Sequence, residues 1–487
     1  MLQNFLQAVR VRPVPLPLFA IAAALPLSGC VLVGPDFARP DVSAQLPDDF
    51  TAPDGWKVAA PQDHESRGEW WKNFDTGRLD DLVQQARSRN QDLAAAVARV
   101  EQARAVTAGA RSAWFPAVDF IPSASRQRRS GTTSNSAQNL TGTTITNLSV
   151  PFVLDYEIDF WGELRRAFEA ANAEFLASES TLRQLELSLE SELASQYFTL
   201  RGYDSEIALY EEAIDLRGKA LELNRKRFEA GDTDEVDVSR AETELAAAAA
   251  DLIGLRQSRD EVEHAIAVLV GEPASDFRLS PHPLSGKPPR VNLSPPTELL
   301  ERRPDVAAAE RAMIAENARI GVAKAAFFPS VRFSATAGLE SGGTARLFDY
   351  ASRTWGLGPE VSLPIFNAGR NQANLKRAEA RYDEVVADYR QTVLEAVSEV
   401  ENALTALRKL DERIAAQERT VKAAARTVEL SRSRYDAGVD TYFEVVDAQR
   451  TELDAERLLV RFKSARFLAA IALVKALGGD WKASQGK

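Results

Sequence analysis

Two stretches of this chain, residues 163–230 and 370–437, run almost free of glycine and proline and are rich in Ala, Glu, Leu, Arg and Gln. At about 1.5 Å per residue, each would reach about 100 Å as a single helix. A helix of that length has no single globular core to cover it, so it needs parallel or antiparallel neighbours along its course. Each stretch stops at a glycine, Gly231 or Gly438, turns, and returns through roughly 38 further helical residues to Gly271 or Gly478.

The two stretches belong to a duplication at a spacing of roughly 210 residues. AWFPAVDF at 113–120 returns as AFFPSVRF at 326–333, and FEAGDTDEVDVSRAE from Phe228 returns as YDAGVDTYFEVVDAQ from Tyr435. NQDLAAAVAR from Asn90 is echoed by RPDVAAAERA from Arg303. An enzyme seldom needs its scaffold twice, whereas a wall or tube of equivalent parts does. The repeats are expected over 70–287 and 288–487, after a segment 1–29 and an extended lead 30–69.

A first helix is expected from about Trp70 to Arg111, its stripe formed by Leu79, Leu82, Val83, Ala86, Leu93, Ala96, Val97 and Val100. Pro116 ends it. The period then changes from 3.6 to 2. Val118, Phe120, Pro122 and Ala124 alternate with polar neighbours, and after a Ser/Thr/Asn/Gly-rich tract at 130–144 so do Leu148, Val150, Phe152, Leu154, Tyr156 and Ile158. The second half repeats this with Val331, Phe333, Ala335, Ala337 and Leu339, then Trp355, Leu357, Pro359, Val361, Leu363 and Ile365. Each half thus supplies a hairpin of about the strand length a membrane barrel requires. Phe120, Phe152, Tyr156, Phe160, Trp161, Phe333 and Trp355 suit either an interfacial aromatic girdle or packing against helix ends.

Four strands do not close into a barrel, since about eight is the smallest number that does. Open sheet edges would leave backbone groups unsatisfied in lipid, so the chain is expected to oligomerise. Two copies would give a filled barrel, and the strands by themselves do not choose between three copies and four.

No segment approaches the roughly 20 apolar residues of a spanning helix. The single cysteine, Cys30, follows Arg10, Arg12, an apolar stretch from Leu16 to Leu27, and the small residues Ser28 and Gly29. That is a secretory signal whose Leu27-Ser28-Gly29-Cys30 tetrad resembles a bacterial lipobox, with Cys30 acylated and Val31, not Asp, directing release to the outer membrane. The net charge of −11 and the absence of a Lys/Arg run disfavour nucleic acid. With three histidines, no phosphate loop and no nucleophile elbow, an enzyme is not expected, and neither a cofactor beyond the lipid on Cys30 nor a metal site.

Further motifs carry a resemblance along the whole mature chain. They are Val33-Gly34-Pro35-Asp36-Phe37, Trp70-Trp71 with Phe74, Asn90-Gln91-Asp92-Leu93, Phe115-Pro116, Asp155 to Gly162 (DYEIDFWG), Leu300 to Val306 (LERRPDV), Phe328-Pro329 and Leu363-Pro364-Ile365-Phe366. In this order they resemble the TolC-like outer membrane factors, and among these the NodT-type efflux lipoproteins. The resemblance implies an α+β membrane protein: a homotrimeric twelve-stranded β-barrel in the outer membrane, four strands per chain, continued by an α-helical coiled-coil barrel through the periplasm. It implies passive export of small molecules handed over by an inner-membrane pump and a periplasmic membrane-fusion adaptor. A duct for type I protein secretion or metal efflux keeps the same fold. A periplasmic scaffold lipoprotein would account for the helices and Cys30 but not for four symmetrically placed strands.

In that family the tunnel is closed by the turns between long and returning helices, here Phe228 to Arg240 and Tyr435 to Asp447. The resemblance makes Gly231 and Gly438 markers of the adaptor-docking turns. It places Glu444 and Asp447 at acidic constriction positions, which in a trimer would form rings of like charge, with Tyr435 and Asp440 in the same gate. At Asp440 the chain departs from members that carry a basic residue. Asp237 and Arg240, the duplicates of Glu444 and Asp447, are the expected partners of the acidic pair.

Overall fold

The computed structural model describes residues 32–40, 68–74, 76–128, 130, 144–289 and 302–479. Cys30 and the expected signal segment lie outside the described residues, as does most of the 130–144 tract. The chain divides into two compact units that cut across the sequence repeats, each drawing on both halves. Among the described residues, the first unit takes 32–34, 113–128, 130, 144–166 and 321–371; the second takes 35–40, 68–74, 76–112, 167–289, 302–320 and 372–479.

The first unit is an antiparallel sheet. Its strands are β1 (Ala117–Phe120), β2 (Ser123–Arg128), β3 (Thr144–Ile158), β4 (Ser330–Ser341) and β5 (Arg353–Ser362). β1 and β2 are one strand interrupted at Ile121-Pro122: both pair with β3 in a single register, Phe120 opposite Phe152 and Ser123 opposite Ser149. The Ile121 N–H donates to the Pro151 carbonyl at 3.1 Å, but Pro151 has no N–H to return the bond, which is why pairing lapses there without a bulge. Four strands in effect lie in the order β1/β2, β3, β4, β5, with β3 and β4 joining the two halves of the chain.

The register sorts the side chains. Residues directly opposite share a face, so Phe120, Phe152, Ala337 and Trp355 fall on one side, as do Val118, Leu154, Ala335 and Leu357. All the alternating apolar sets of the sequence meet on this face. Asp119, Asp155, Glu157, Glu340 and Glu360 all lie on the other, where Arg332 pairs with Glu157 at 3.3 Å and Asn147 donates to Glu340 at 2.9 Å. Among the aromatics, Phe120 and Phe152 meet as a cross-strand pair with centroids 5.0 Å apart, and Trp355 is 76% exposed. Trp161 instead packs: it stacks on Phe328 at 4.7 Å and donates to the Pro329 carbonyl.

The second unit is helical. In place of one helix from Trp70, the chain forms a short 3-10 turn at Trp70–Phe74, then α1 (Gly77–Arg89) and α2 (Gln91–Ser112). The break is Asn90, whose backbone leaves the helical region at ψ 127° and whose Oδ1 accepts from the Leu93 N–H, capping α2. The interruption re-phases the stripe, so Val97 is exposed while Leu93, Ala96 and Val100 remain buried.

The long helices α3 (Glu163–Glu229) and α6 (Arg370–Asp436) have 67 residues each, and their return partners α4 (Glu235–Val270) and α7 (Tyr442–Ala476) have 36 and 35. A further helix, α5 (Pro304–Ala325), is the counterpart of α2. The long helices do gain a local core: Trp70, Trp71 and Phe74 insert with Leu79, Leu82 and Val83 against Leu193, Phe198 and Leu200 of α3, Ile266 and Val270 of α4, and Phe467 and Ile471 of α7. Phe198 and Phe467 stack at 4.5 Å at its centre. Beside it, buried Arg201 and Arg259 both bind Asp204, at 2.6 and 2.9 Å, and Arg259 binds Glu263 at 3.0 Å.

Candidate functional site

The two interhelical turns are built alike as far as their glycines. α3 ends with Gly231 at φ +82°, and the Asp232 N–H bonds back to the Arg227 carbonyl at 2.8 Å. α6 ends with Gly438 at φ +73°, and the Val439 N–H bonds to the Arg434 carbonyl at 2.9 Å. These six-to-one bonds require a left-handed residue, and only glycine adopts that conformation without cost.

Beyond the glycines the turns diverge. In the first, Asp234 caps α4 by accepting from the N–H groups of Val236 and Asp237 at 2.8 and 3.3 Å, and the Thr233 hydroxyl donates to Asp237 at 2.7 Å. In the second, the residue at the cap of α7 is Thr441, whose side chain makes no cap bond. The turn is held instead by a bidentate pair from Arg434 to Asp440, at 2.5 and 3.0 Å. The Arg434 hydrogen bond holds the Asp440 carboxyl below its usual range.

Tyr435 joins the two turns. Its hydroxyl donates to Oδ1 of the buried Asn224 at 2.9 Å, its ring lies 5.4 Å from that of Tyr442, and the Arg227 guanidinium sits 5.0 Å over it while reaching Asp436 at 3.5 Å. Beneath, Leu221, Ala241, Tyr442, Val445 and Val446 close a small apolar cluster, and burial pushes the Tyr442 hydroxyl pKa up.

Glu444 and Asp447 occupy the exposed face of the first turns of α7, opposite buried Val445 and Val446. Among the described residues neither side chain has an ion-pair partner. The expected pairing with Asp237 and Arg240 does not form within the chain: Arg240 turns to Asp237 on its own helix, at 3.7 Å, and over the Phe443 ring at 5.5 Å. The i, i+3 spacing on α4 keeps that pair local.

Several contributors escaped the sequence reading. Asn224, Arg227 and Asp436 have no local pattern that announces them. Nor has Glu244 on α4, which is buried between Arg217 of α3 and Arg450 of α7. Above the turns a cavity of about 300 Å³ opens between α3, α6 and α7, where Glu212, Glu452 and Glu456 share its lining. Burial raises the pKa of both Glu452 and Glu456, and neighbouring carboxylates raise it further.

Among the described residues no helix is long and apolar enough to cross a membrane, and no group of three or more His, Cys, Asp or Glu could hold a metal ion. The chain is 32% identical over 468 residues to the pyoverdine export outer membrane protein OpmQ of Pseudomonas aeruginosa, covering 94% of this chain and 97% of that one. It is 29% identical over 472 residues to the cation efflux system protein CusC of Escherichia coli, covering 96% and 99%. Its structure resembles that of the outer-membrane channel OprN with a TM-score of 0.82 and 31% identity, over 92% of this chain and 99% of that one. The VceC outer membrane protein of Vibrio cholerae is similar with a TM-score of 0.78 and 29% identity, over 85% and 99%. A family model for the outer membrane efflux protein matches residues 82–272 and 296–479, once in each half and over more than half of the chain, and the protein belongs to that family.

Proposed function

We propose that this protein is the outer membrane channel of a tripartite efflux system, passing small molecules from an inner-membrane pump and a periplasmic adaptor to the exterior. The observation that carries the reading is the sheet: one face apolar, the other bearing five carboxylates, and both edge strands, β1/β2 and β5, open along one side. From Leu148 to Ile158 the apolar face of β3 is about 34 Å long at about 3.4 Å per residue. Tilted by about 40°, it covers about 26 Å of height, the thickness of the apolar band of an outer-membrane barrel.

Three copies pairing edge to edge give a closed barrel of twelve strands, with the acidic face lining a water-filled lumen. The long helices then line the continuation of the duct, and Glu444 and Asp447 form acidic rings at its narrow end, with Asp440 and Tyr435 holding the turn around them. Gly231 and Gly438 mark the turns offered to the adaptor. A lipid on Cys30 anchors each copy in the outer membrane, as expected of the lipoprotein branch. The relatives named for pyoverdine export and toluene efflux favour small organic cargo.

Single-channel conductance in a planar bilayer, with the oligomeric mass determined in parallel, tests the reading. A trimer with small, cation-selective currents supports it. A monomer without conductance overturns it in favour of a periplasmic scaffold. Glu444→Ala with Asp447→Ala is expected to raise the conductance, and an unchanged value would remove the two carboxylates from the constriction.

A further inference from the structure

The apolar face of the sheet carries basic residues that the channel function does not require. From Ile121 to Leu154 the chain contains no acidic residue, yet it carries Arg126, Arg128 and Arg129. Arg126 stands opposite Thr146 and Arg128 opposite Thr144, which puts both on the same face as Leu148, Val150, Phe152 and Leu154. On the far edge, Arg353 stands opposite Leu339 and shares that face with Trp355 and Leu357. The apolar face therefore bears three guanidinium groups and no carboxylate, while all five strand carboxylates lie on the other face.

The three arginines sit at one end of the apolar band, the end of the hairpin loops and not the end that continues into the helices. Arg126 and Arg128 lie two and four residues past the Leu148 row, about 7 and 14 Å along the strand. That is the headgroup zone above a band that ends near Leu148. Arg353 lies one row inside, level with Val150, and lies 4.4 Å over the Tyr350 ring, the posture of a long basic side chain reaching from an apolar surface toward the polar boundary. All three are exposed, and among the described residues Arg126 and Arg128 have no acidic partner.

A second copy paired along either edge does not neutralise them. The strands offer no carboxylate on this face, so edge pairing adds arginines to arginines. The complementary occupant is an anion that lies beside the apolar band and at its rim: a phosphate-bearing lipid headgroup whose chains cover the band. Guanidinium groups suit phosphate because they bind it through two parallel, charge-assisted hydrogen bonds.

We propose that Arg126, Arg128 and Arg353 form a binding rim for phosphorylated lipid headgroups in the leaflet at the loop end of the barrel. This rests on the membrane-barrel reading above. The full-length protein is placed in nanodiscs of phosphatidylcholine doped with diphosphoryl lipid A, and the lipid retained on the ejected protein is counted by native mass spectrometry. A planar-bilayer recording from the same preparation accompanies it. Wild type is expected to retain diphosphoryl lipid A over phosphatidylcholine, and the variant Arg126→Gln, Arg128→Gln, Arg353→Gln to retain it about tenfold less while conducting as wild type does. Replacement of the three by Lys is expected to keep most of the retention.

Equal retention by wild type and the Gln variant, with both conducting, overturns this inference alone and leaves the channel reading standing. Retention abolished by millimolar inorganic phosphate assigns the rim to a free anion and also overturns it. Failure of the wild type to insert and conduct overturns the barrel reading and this inference with it.

Discussion

The hydroxyl of Tyr435 donates to Oδ1 of Asn224 across 2.9 Å, tying the tip of α6 to the buried side of α3. Asn224 is 1% exposed, so no water replaces the lost donor. Tyr435→Phe is expected to cost about 1–3 kcal/mol, the penalty for an orphaned buried acceptor. In the channel it should loosen the α6 tip and raise the conductance. Amide exchange across 435–447 that is no faster than in wild type would dissociate this bond from the closure of the turn.

The Arg434–Asp440 pair predicts a pH response. Asp440 has its carboxyl pKa lowered from an ordinary 3.8, first by the Arg434 hydrogen bond. A depressed carboxyl contributes its stabilisation above the unfolded value and loses it as pH falls through the folded one. The second turn should thus stay latched at neutral pH and release only below about pH 3.8. Asp440→Asn should open it at every pH. Conductance recorded from pH 7 to pH 3 separates the two: the variant is expected to conduct more than wild type at pH 7, and the difference is expected to close at the acid end.

Glu452 and Glu456 behave in the opposite sense. Both pKa values are raised above an ordinary 4.5, Glu452 by burial and then by Glu212, Glu456 by burial and then by Glu452 and Glu212. The fold binds protons that the unfolded chain has released, so stability declines as pH rises from 4.5 through the raised values and stays lower above them. Glu456→Gln is therefore expected to raise the melting temperature at pH 8 by about 1–2 °C and to have no effect at pH 4. A variant less stable than wild type at pH 8 would mean that the carboxylate makes a favourable contact.

What the sequence made legible was whatever depends on local period. The alternation of Val331, Phe333 and Ala335 predicts a strand with one apolar face, and the glycines at 231 and 438 predict helix ends, because both follow from backbone geometry within a few residues. Contacts between distant segments leave no such trace. The packing of Trp71 and Phe74 against Phe467, about four hundred residues away, supplies a core that periodicity does not announce. Arg240 illustrates the same limit: the duplication aligns it with Asp447, yet its side chain is drawn to Asp237 one turn away and to Phe443. The Asn90 break was equally hidden, since the apolar stripe runs on through it while the asparagine side chain caps the next helix.

The core at Phe198 and Phe467 makes the helical unit sensitive at a single point. The rings stack at 4.5 Å and both are 3% exposed. Phe198→Ala removes a ring among Phe74, Tyr197 and Phe467 and should cost about 3–5 kcal/mol, because rigid helices do not collapse into the cavity. Thermal unfolding followed by circular dichroism is expected to show the loss as a lowered helical transition, and Phe198→Leu should recover most of it.

Gly338 stands opposite Pro151 where the two halves of the sheet meet. A Cβ at position 338 would lie 2.4 Å from the Val150 carbonyl oxygen and 2.6 Å from the Pro151 Cα, both backbone atoms that cannot swing away. Gly338→Val must therefore part β3 from β4. These two strands join the first hairpin to the second, so the damage falls on the continuity of the sheet and leaves the helical core untouched. The expected outcome is a chain that keeps its helical circular dichroism but fails to form the oligomer proposed above, read as the loss of a heat-resistant high-mass band in detergent. A milder result is expected for Gly342→Ala, where the new Cβ meets only the Thr146 carbonyl oxygen at 3.7 Å. Equal heat resistance of Gly338→Val and wild type would show that the sheet absorbs the clash and that the two halves are joined less rigidly than the pairing of β3 with β4 implies.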